Sequence, residues 1–299
     1  MSLRIVVCAK QVPDTHNIKG DAMKPDGTVN RAALPAIFNP EDLNALELAL
    51  SLRERFGGKV TVCTMGPPTA VEILRRSLYM GADLGILVTD RRFAGADTLA
   101  TSYTLACAVR KQGEFDLILC GRQAIDGDTA QVGPQLAEKL DLPQVTYVED
   151  VLDVKDGKVR VRNLIEDGYE IAEAKLPLLM TVVGSANTPR PPGAKRLMRY
   201  KKAVTRSELM ARHKGRDYED ANVLTEEEER LRSRGLWIHE WNADDIGADL
   251  GRIGMAGSPT KVKEIESVVL ARREYKQVPP TQDGVNGLIH DMIKEHILS

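Results

Sequence analysis

Leu117-Ile-Leu-Cys-Gly-Arg-Gln-Ala-Ile-Asp-Gly-Asp-Thr-Ala-Gln-Val-Gly-Pro134 reads as three units in succession. Leu117 to Cys120 is a short apolar run of the kind that forms a strand buried on both faces. Gly121 to Gly133 is a polar loop. A helix opens behind it and continues through Leu136, Ala137 and Leu140. A strand feeding a glycine-bearing loop at a helix start suits a phosphate, because unpaired N–H groups and the helix dipole face the anion. Gly121 and Gly127 let the backbone approach a ligand closely. Asp126, Asp128, Thr129 and Gln131 offer hydrogen bonds, and Arg122 offers positive charge. These residues alone leave a second reading open, an ordinary βα connection with a good N-cap.

The same alternation extends upstream. Arg4 to Ala9, Lys59 to Met65 and Leu84 to Thr89 are apolar, strand-like runs. Between them lie helix signals: Asn39-Pro40-Glu41-Asp42 with Leu43, Leu46 and Leu50 on one face, Thr69 to Met80 closed by Gly81, and Asp97 to Lys111. Val12 to Val29 reads as a polar loop with an Asp26-Gly27 turn. This order predicts a parallel α/β sheet flanked by helices, with right-handed crossovers. Beyond Pro143, Val145 to Val154, Lys158 to Ile165 and Tyr169 to Ala174 alternate apolar and polar residues around Asp156-Gly157 and Asp167-Gly168. They predict an antiparallel extension. Leu178 to Val183 returns to the core. Asn187 to Pro192 and the following basic stretch read as a linker. Thr205 to Arg234 is a charged insertion in which Thr225 to Glu228 resembles a capping box. Trp237 to Asp249 and Ser258 to Leu270 read as a meandering arm. Asp283 to Leu298 is a terminal amphipathic helix with Val285, Leu288, Ile289, Met292, Ile293 and Ile297 on its apolar face. Three regions follow: 1–186, a nucleotide- or flavin-binding domain; 187–236, a docking linker with the insertion; and 237–299, a C-terminal arm.

Composition removes several classes of function. The chain has 299 residues, 42% of them hydrophobic, so one large core can be filled. A formal net charge of −2 argues against a general nucleic-acid or membrane-surface binder. Aromatic residues, at 4%, are too sparse for base-stacking platforms. Cys8, Cys63, Cys107 and Cys120 form no CxxC pair and lie in apolar runs, as buried thiols of a reducing compartment do. An Fe–S cluster is not expected, and the five histidines show no metal spacing. The first strand begins too early to leave room for a leader, no run reaches membrane-spanning length, and a cytoplasmic location is expected. There is no GxGxxG after the first strand, no Walker A sequence and no G-x-S-x-G elbow. The chemistry is expected to belong to a bound cofactor.

Three further loops belong at the carboxyl edge of the sheet, where open α/β folds bind ligands. Ala9-Lys-Gln-Val-Pro-Asp-Thr15 follows the first strand, Met65 and Gly66 end the second, and Gly95-Ala-Asp-Thr98 opens a helix. Asp97 could do no more than cap that helix, and the first loop could be a plain proline turn. With Ala124-Ile-Asp-Gly-Asp-Thr-Ala-Gln-Val-Gly-Pro134, these segments make the chain resemble the β subunit of electron-transfer flavoproteins. The likeness runs from Ile5 to about Ala186 and resumes from about Trp237 to Leu270. The wording of the Ala124–Pro134 block is similar to that of the electron-bifurcating group.

The resemblance implies an adenine nucleotide α-hydrolase-like fold and a cofactor site at Ala9, Lys10, Val12, Asp14, Met65, Gly66, Asp97, Thr98 and Thr101, and throughout Cys120, Gly121, Arg122, Gln123, Ala124, Asp126, Gly127, Asp128, Thr129, Ala130, Gln131, Val132 and Gly133. It implies FAD there, or AMP in the non-bifurcating alternative. It further implies NADH as donor, an obligate α subunit, ferredoxin or flavodoxin as one acceptor, and an acyl-CoA dehydrogenase-type partner. The arm from Trp237 onward, with Ala243-Asp-Asp-Ile-Gly-Ala-Asp-Leu-Gly-Arg-Ile-Gly254 in it, would pack on the α subunit. Arg122 could tune the flavin, clamp a phosphate or form a surface ion pair. A stand-alone nucleotide-hydrolysing enzyme remains a rival, though its phosphate motif is missing.

Overall fold

The computed structural model describes residues 2–14, 35–213, 221–260 and 277–294. Thr15, the Asp26-Gly27 turn, Lys214, Arg216, residues 261–270 of the arm and Ile297 lie outside the described residues. The chain runs β1 (Leu3–Cys8), β2 (Gln11–Pro13), β3 (Ala36–Phe38), α1 (Pro40–Phe56), β4 (Gly58–Met65), α2 (Val71–Met80), β5 (Leu84–Val88), α3 (Thr98–Gln112), β6 (Leu117–Gly121) and α4 (Val132–Leu140). There follow β7 (Gln144–Lys155), β8 (Lys158–Ile165), β9 (Gly168–Lys175), β10 (Leu178–Val182), α5 (Ala194–Tyr200), α6 (Arg206–His213), α7 (Ala221–Ser233), β11 (His239–Trp241) and α8 (Gln282–Lys294).

The main sheet has nine strands in the order β11-β5-β4-β1-β6-β10-β7-β8-β9. Strand period sorts its side chains into two layers. Leu3, Ile5 and Val7 of β1 pack with Leu46 and Leu50 of α1 and Leu74 and Leu78 of α2. Val6 and Cys8 pack on the other face with Leu105 and Val109 of α3 and Leu136 of α4. The expected parallel sheet between two helical layers is what forms. All contacts among β11, β5, β4, β1, β6 and β10 are parallel, whereas β7-β8-β9 is antiparallel.

Several elements differ from the sequence reading. β7 is shared between the two parts: Gln144 to Val148 pairs in parallel with β10, and the remainder pairs antiparallel with β8. Tyr147, at φ 57°, breaks the ladder, and the Thr181 hydroxyl accepts its N–H at 3.1 Å. The segment from Asn187 is clamped rather than a linker. Asn187 exchanges hydrogen bonds with Asn44, and Arg190 pairs with Glu47 and Glu54. Arg196 of α5 donates to the Leu78 and Ala82 carbonyls at the end of α2. Polar anchors hold this stretch, so its composition looks solvated. Helix α7 starts at Ala221, which places Thr225 inside it and not at a cap. Two members of the charged insertion, Leu209 and Leu231, are buried in the main core.

The arm also turns inward. Its first residues form β11, which extends the sheet beside β5. Ala243, Ile246 and Ile253 join the core on the α3 side. Asp244 pairs with Arg92 at 2.7 Å, and Tyr103 accepts the Asp249 N–H at 3.0 Å. A Cβ on Gly254 would lie 2.0 Å from the Arg92 carbonyl oxygen, so glycine there serves a close approach to this chain itself. Part of residues 237–260 thus packs within the chain, while Leu250 and Met255 stay 51% and 67% exposed. No helix among the described residues is long and apolar enough to cross a membrane.

Candidate functional site

Chain order carries β1, β4 and β5 toward one edge, then returns to β6 and β10 on the other side of β1. The helix after β1 lies on one face of the sheet and the helix after β6 on the other. A crevice opens where such connections part, outside the carboxyl ends of the strands. Here it is a cleft of about 400 Å³ between Cys8 and Cys120 at the ends of β1 and β6.

The first turn of α1 ties the two diverging loops together. Asp42 accepts the Lys10 N–H through Oδ2 and the Gly121 N–H through Oδ1, both at 2.8 Å. Burial pushes its carboxyl up to about 7, against the opposing pull of those two N–H groups. A Cβ at Gly121 would sit 2.6 Å from Asp42 Oδ1, so the loop needs glycine at that point. Glu41 accepts the Gln123 N–H at 2.9 Å and pairs with Arg122 at 2.9 Å. Asn39 stands at the N-cap but makes no capping bond. Its side chain instead donates to the Gln123 carbonyl at 2.9 Å and accepts the Ile125 N–H at 3.1 Å. Lys10 Nζ reaches both oxygens of Asp126 at 2.7 Å.

Past this brace the loop closes on itself: the Gly127 and Asp128 N–H groups donate to the Ala124 carbonyl at 3.2 and 2.9 Å, and the Gln123 amide donates to Asp128 at 2.9 Å. Gly127 has no neighbour within 4 Å of where a Cβ would stand. Asp128 (φ 49°) and Ala130 (φ 52°) are left-handed, a conformation that costs a non-glycine residue roughly 1–3 kcal/mol and gathers at functional sites. Alternation of hand along a loop points successive N–H groups into one concavity, an arrangement that accepts anions. Helix α4 begins directly behind it. The opposite wall is the start of α3. Asp97 caps it by accepting the Ala100 N–H at 3.0 Å and also accepts from Thr260. The Thr98 hydroxyl donates to Gln131 at 2.8 Å, closing the cleft from α3 to the loop.

Ala9, Lys10, Met65, Asp97, Thr98, Thr101, Cys120, Gly121, Arg122, Gln123, Ala124, Gly127, Asp128, Thr129, Ala130, Gln131, Val132 and Gly133 all line the cleft. Four other positions singled out in the sequence stand off it. Val12 is buried in β2, and Asp14 donates its N–H to Pro35 in the same ribbon. Gly66 bridges to Val88, and Asp126 is engaged by Lys10. The ribbon carries the chain away from the crevice two residues after Lys10. Sequence reading missed Cys8, Asp42, Phe93 and Leu105, which complete the lining. Cys8 reads as a buried thiol of the first strand, and the sequence carries no signal that singles out Phe93 or Leu105. Asp42 read as a helix-dipole acid, and nothing in the pattern marks its burial. Arg122 is engaged by Glu41 and stands over the Tyr147 ring at 5.8 Å while still bordering the cleft. No group of three His, Cys, Asp or Glu among the described residues could hold a metal ion.

Comparison with known proteins places these observations in a lineage. A family model described as electron transfer flavoprotein domain matches residues 26–209. The chain is 40% identical over 296 residues to the electron transfer flavoprotein subunit beta of Clostridium acetobutylicum, covering 99% of this chain and 100% of that protein. It is 44% identical over 261 residues to the caffeyl-CoA reductase-Etf complex subunit CarD of Acetobacterium woodii, covering 87% and 86%. It is 40% identical over 300 residues to the acryloyl-CoA reductase electron transfer subunit gamma of Anaerotignum propionicum, covering 99% and 95%.

Proposed function

The chain belongs to the electron transfer flavoprotein family, among its β subunits, and from that premise we propose that it holds the adenosine monophosphate end of FAD in the switch-point cleft. In this reading it is the β subunit of a heterodimer. The dimer takes electrons from NADH and divides them between ferredoxin or flavodoxin and an acyl-CoA dehydrogenase-type enzyme. The relatives named for caffeyl-CoA and acryloyl-CoA reductases favour the last partner. The observation that carries the proposal is the left-handed turn at Asp128 and Ala130 at the threshold of α4. The Asp128 N–H is spent on the Ala124 carbonyl, so the groups the turn presents to a phosphate are the N–H groups from Thr129 to Gly133, with the α4 dipole behind them. The lining fits the remainder: Phe93, Leu105 and Met65 are apolar contacts for a ring, and Gln123, Thr98 and Gln131 are polar ones for a ribose.

A bound flavin would supply the hydride and single-electron chemistry. The chain's own residues position it. Asp42, Glu41 and Asn39 fix the loop, and Lys10 with Asp126 locks its outer rim. Arg122 presents a cation already balanced by Glu41, so its field at the ligand is reduced.

One observation favours the second reading, AMP as a structural ligand. The cleft is at the small end of the range for ligand sites, about 300–1,000 Å³. It suits the half that both nucleotides share, and the flavin half of FAD would have to extend beyond it. The purified heterodimer distinguishes the two. Two flavins per dimer, both bleached by NADH under anaerobic conditions, is the expected result; one flavin plus AMP would establish the alternative. Replacing Asp128 and Thr129 together by alanine should empty the β site and leave the α-bound flavin in place. Full nucleotide content in that variant would refute the assignment of the loop.

A further inference from the structure

The chain's two tryptophans flank a histidine, as Trp237, His239 and Trp241. Alternate residues of an extended chain share a face, and all three border a second cavity, of about 410 Å³. It shares no lining residue with the nucleotide cleft. Its walls also carry three cations, Lys111 near the end of α3, Arg206 of α6 and Arg232 of α7, and three carboxylates, Glu228, Glu240 and Asp245. It exists only because α6 and α7 fold back over β11.

Its acidic groups are already engaged. Glu228 is held by Arg232 at 2.6 Å, and Arg232 in turn stands over the Trp237 ring at 4.9 Å. Glu240 accepts from the N–H and hydroxyl of Ser207. Asp245 accepts the Asn242 N–H at 2.9 Å. Two cations are left over. Lys111 lies over the Trp241 ring at 5.3 Å, and neither it nor Arg206 forms an ion pair among the described residues. His239 lies 6.0 Å from Trp241 between ring centroids; burial and then Arg232 lower its pKa, so the ring is neutral and offers one donor and one acceptor.

We propose that this cavity binds a small flat organic anion, its carboxylate or phosphate held by Lys111 and Arg206 and its ring laid against the Trp241–His239 face. Lys111 and Arg206 have no hydrogen-bond acceptor among the described residues, whereas each carboxylate of the lining already has a donor, so the unused groups beside the aromatic surface are donors that suit an anion. They leave an uncharged ligand without partners for them, whereas a planar anion satisfies charge and surface at once. The helices of the insertion thereby acquire a role that their mixed charge alone does not show.

The test uses the purified heterodimer with its nucleotide site filled, titrated by calorimetry with benzoate, acetate and benzyl alcohol, while indole fluorescence is followed. Benzoate should bind saturably and perturb the fluorescence, and Trp241→Phe should reduce that optical change, Trp237 remaining in the same cavity. Acetate and benzyl alcohol, each lacking one half of the recognition, should bind at least tenfold more weakly. Lys111→Ala with Arg206→Ala should weaken benzoate at least tenfold without changing nucleotide content. Lys111→Glu alone, at an exposed position, should do the same if the double variant folds poorly. Absence of saturable binding, equal affinity for the three probes, or unchanged affinity in the lysine variants would overturn the proposal.

Discussion

Asp42 concentrates most of the tension in the cleft. It is nearly inaccessible to solvent and accepts two N–H groups from loops that would otherwise separate. Burial raises its carboxyl from 3.8 to about 7, so the fold favours the neutral form. A raised acid contributes stability that is complete below the unfolded pKa and is lost as pH climbs through the folded one. At about 1.36 kcal/mol per unit, the loss between pH 4 and 7 is up to about 4 kcal/mol. Urea midpoints should therefore fall from pH 5 to pH 8 in the parent protein. Asp42→Asn should flatten that slope. It should also lower the plateau by roughly 1–3 kcal/mol, because an amide oxygen can serve only one of the two sites and its NH₂ faces the other donor. An unchanged slope would place the pH dependence elsewhere. Ala130 offers a second test. At φ 52°, glycine relieves strain and a β-branched side chain adds to it. Ala130→Gly should keep the nucleotide after exhaustive dialysis, with stability equal or higher by up to about 1 kcal/mol. Ala130→Val should lose it, as read by chromatography of the released nucleotide.

At the scale of elements, α6 and α7 are structural members of the fold. Leu209 and Leu231 reach the core shared with Val204, Leu236 and Trp237. Leu231→Ala should cost about 2–5 kcal/mol by chemical denaturation, as buried leucine truncations do; a loss under 0.5 kcal/mol would mean that the helix pair is ornamental. What could be read from the sequence follows from which forces leave a periodic trace. Apolar strands such as Ile5 to Cys8 and glycine-stopped helices such as Thr69 to Gly81 announce themselves through spacing. The Gly121–Gly133 loop announces itself through residue types that have few other reasons to occur together. Side-chain anchoring leaves no period. Arg196 on the Leu78 and Ala82 carbonyls, Asn187 against Asn44 and Arg190 on two glutamates hold a stretch whose composition reads as linker. β11, with only three residues, is too short to alternate, and its place in the sheet is set by α6, α7 and the neighbouring β5. Asn39 illustrates the limit at a single position: its helix-start signal was correct for the backbone, yet its side chain serves the loop.

Across the whole molecule, apolar surface is unevenly covered. The sheet and its two helical layers close on themselves, and residues 237–260 finish one side. Helix α8 does not share in that closure: Val285, Leu288, Ile289 and Ile293 are each 40–53% exposed. Their spacing puts them on one stripe of the helix, the pattern of a surface waiting for a groove. In a β subunit of this family the partner subunit is the natural source of that groove, and the exposed Leu250 and Met255 of the earlier arm add to the apolar surface it could cover. Obligate interfaces are large and apolar, so the chain expressed alone should be aggregation-prone. Replacing Leu288 and Ile289 together by glutamate should improve the solubility of the isolated chain and leave its unfolding midpoint within about 0.5 kcal/mol, since exposed positions carry little folding energy. The same variant co-expressed with the partner subunit should yield at least tenfold less heterodimer on size-exclusion chromatography. A parent chain that is already a soluble cooperative monomer, or a variant that pairs with undiminished yield, would show that α8 faces solvent in the assembled protein and that the dimer is held elsewhere.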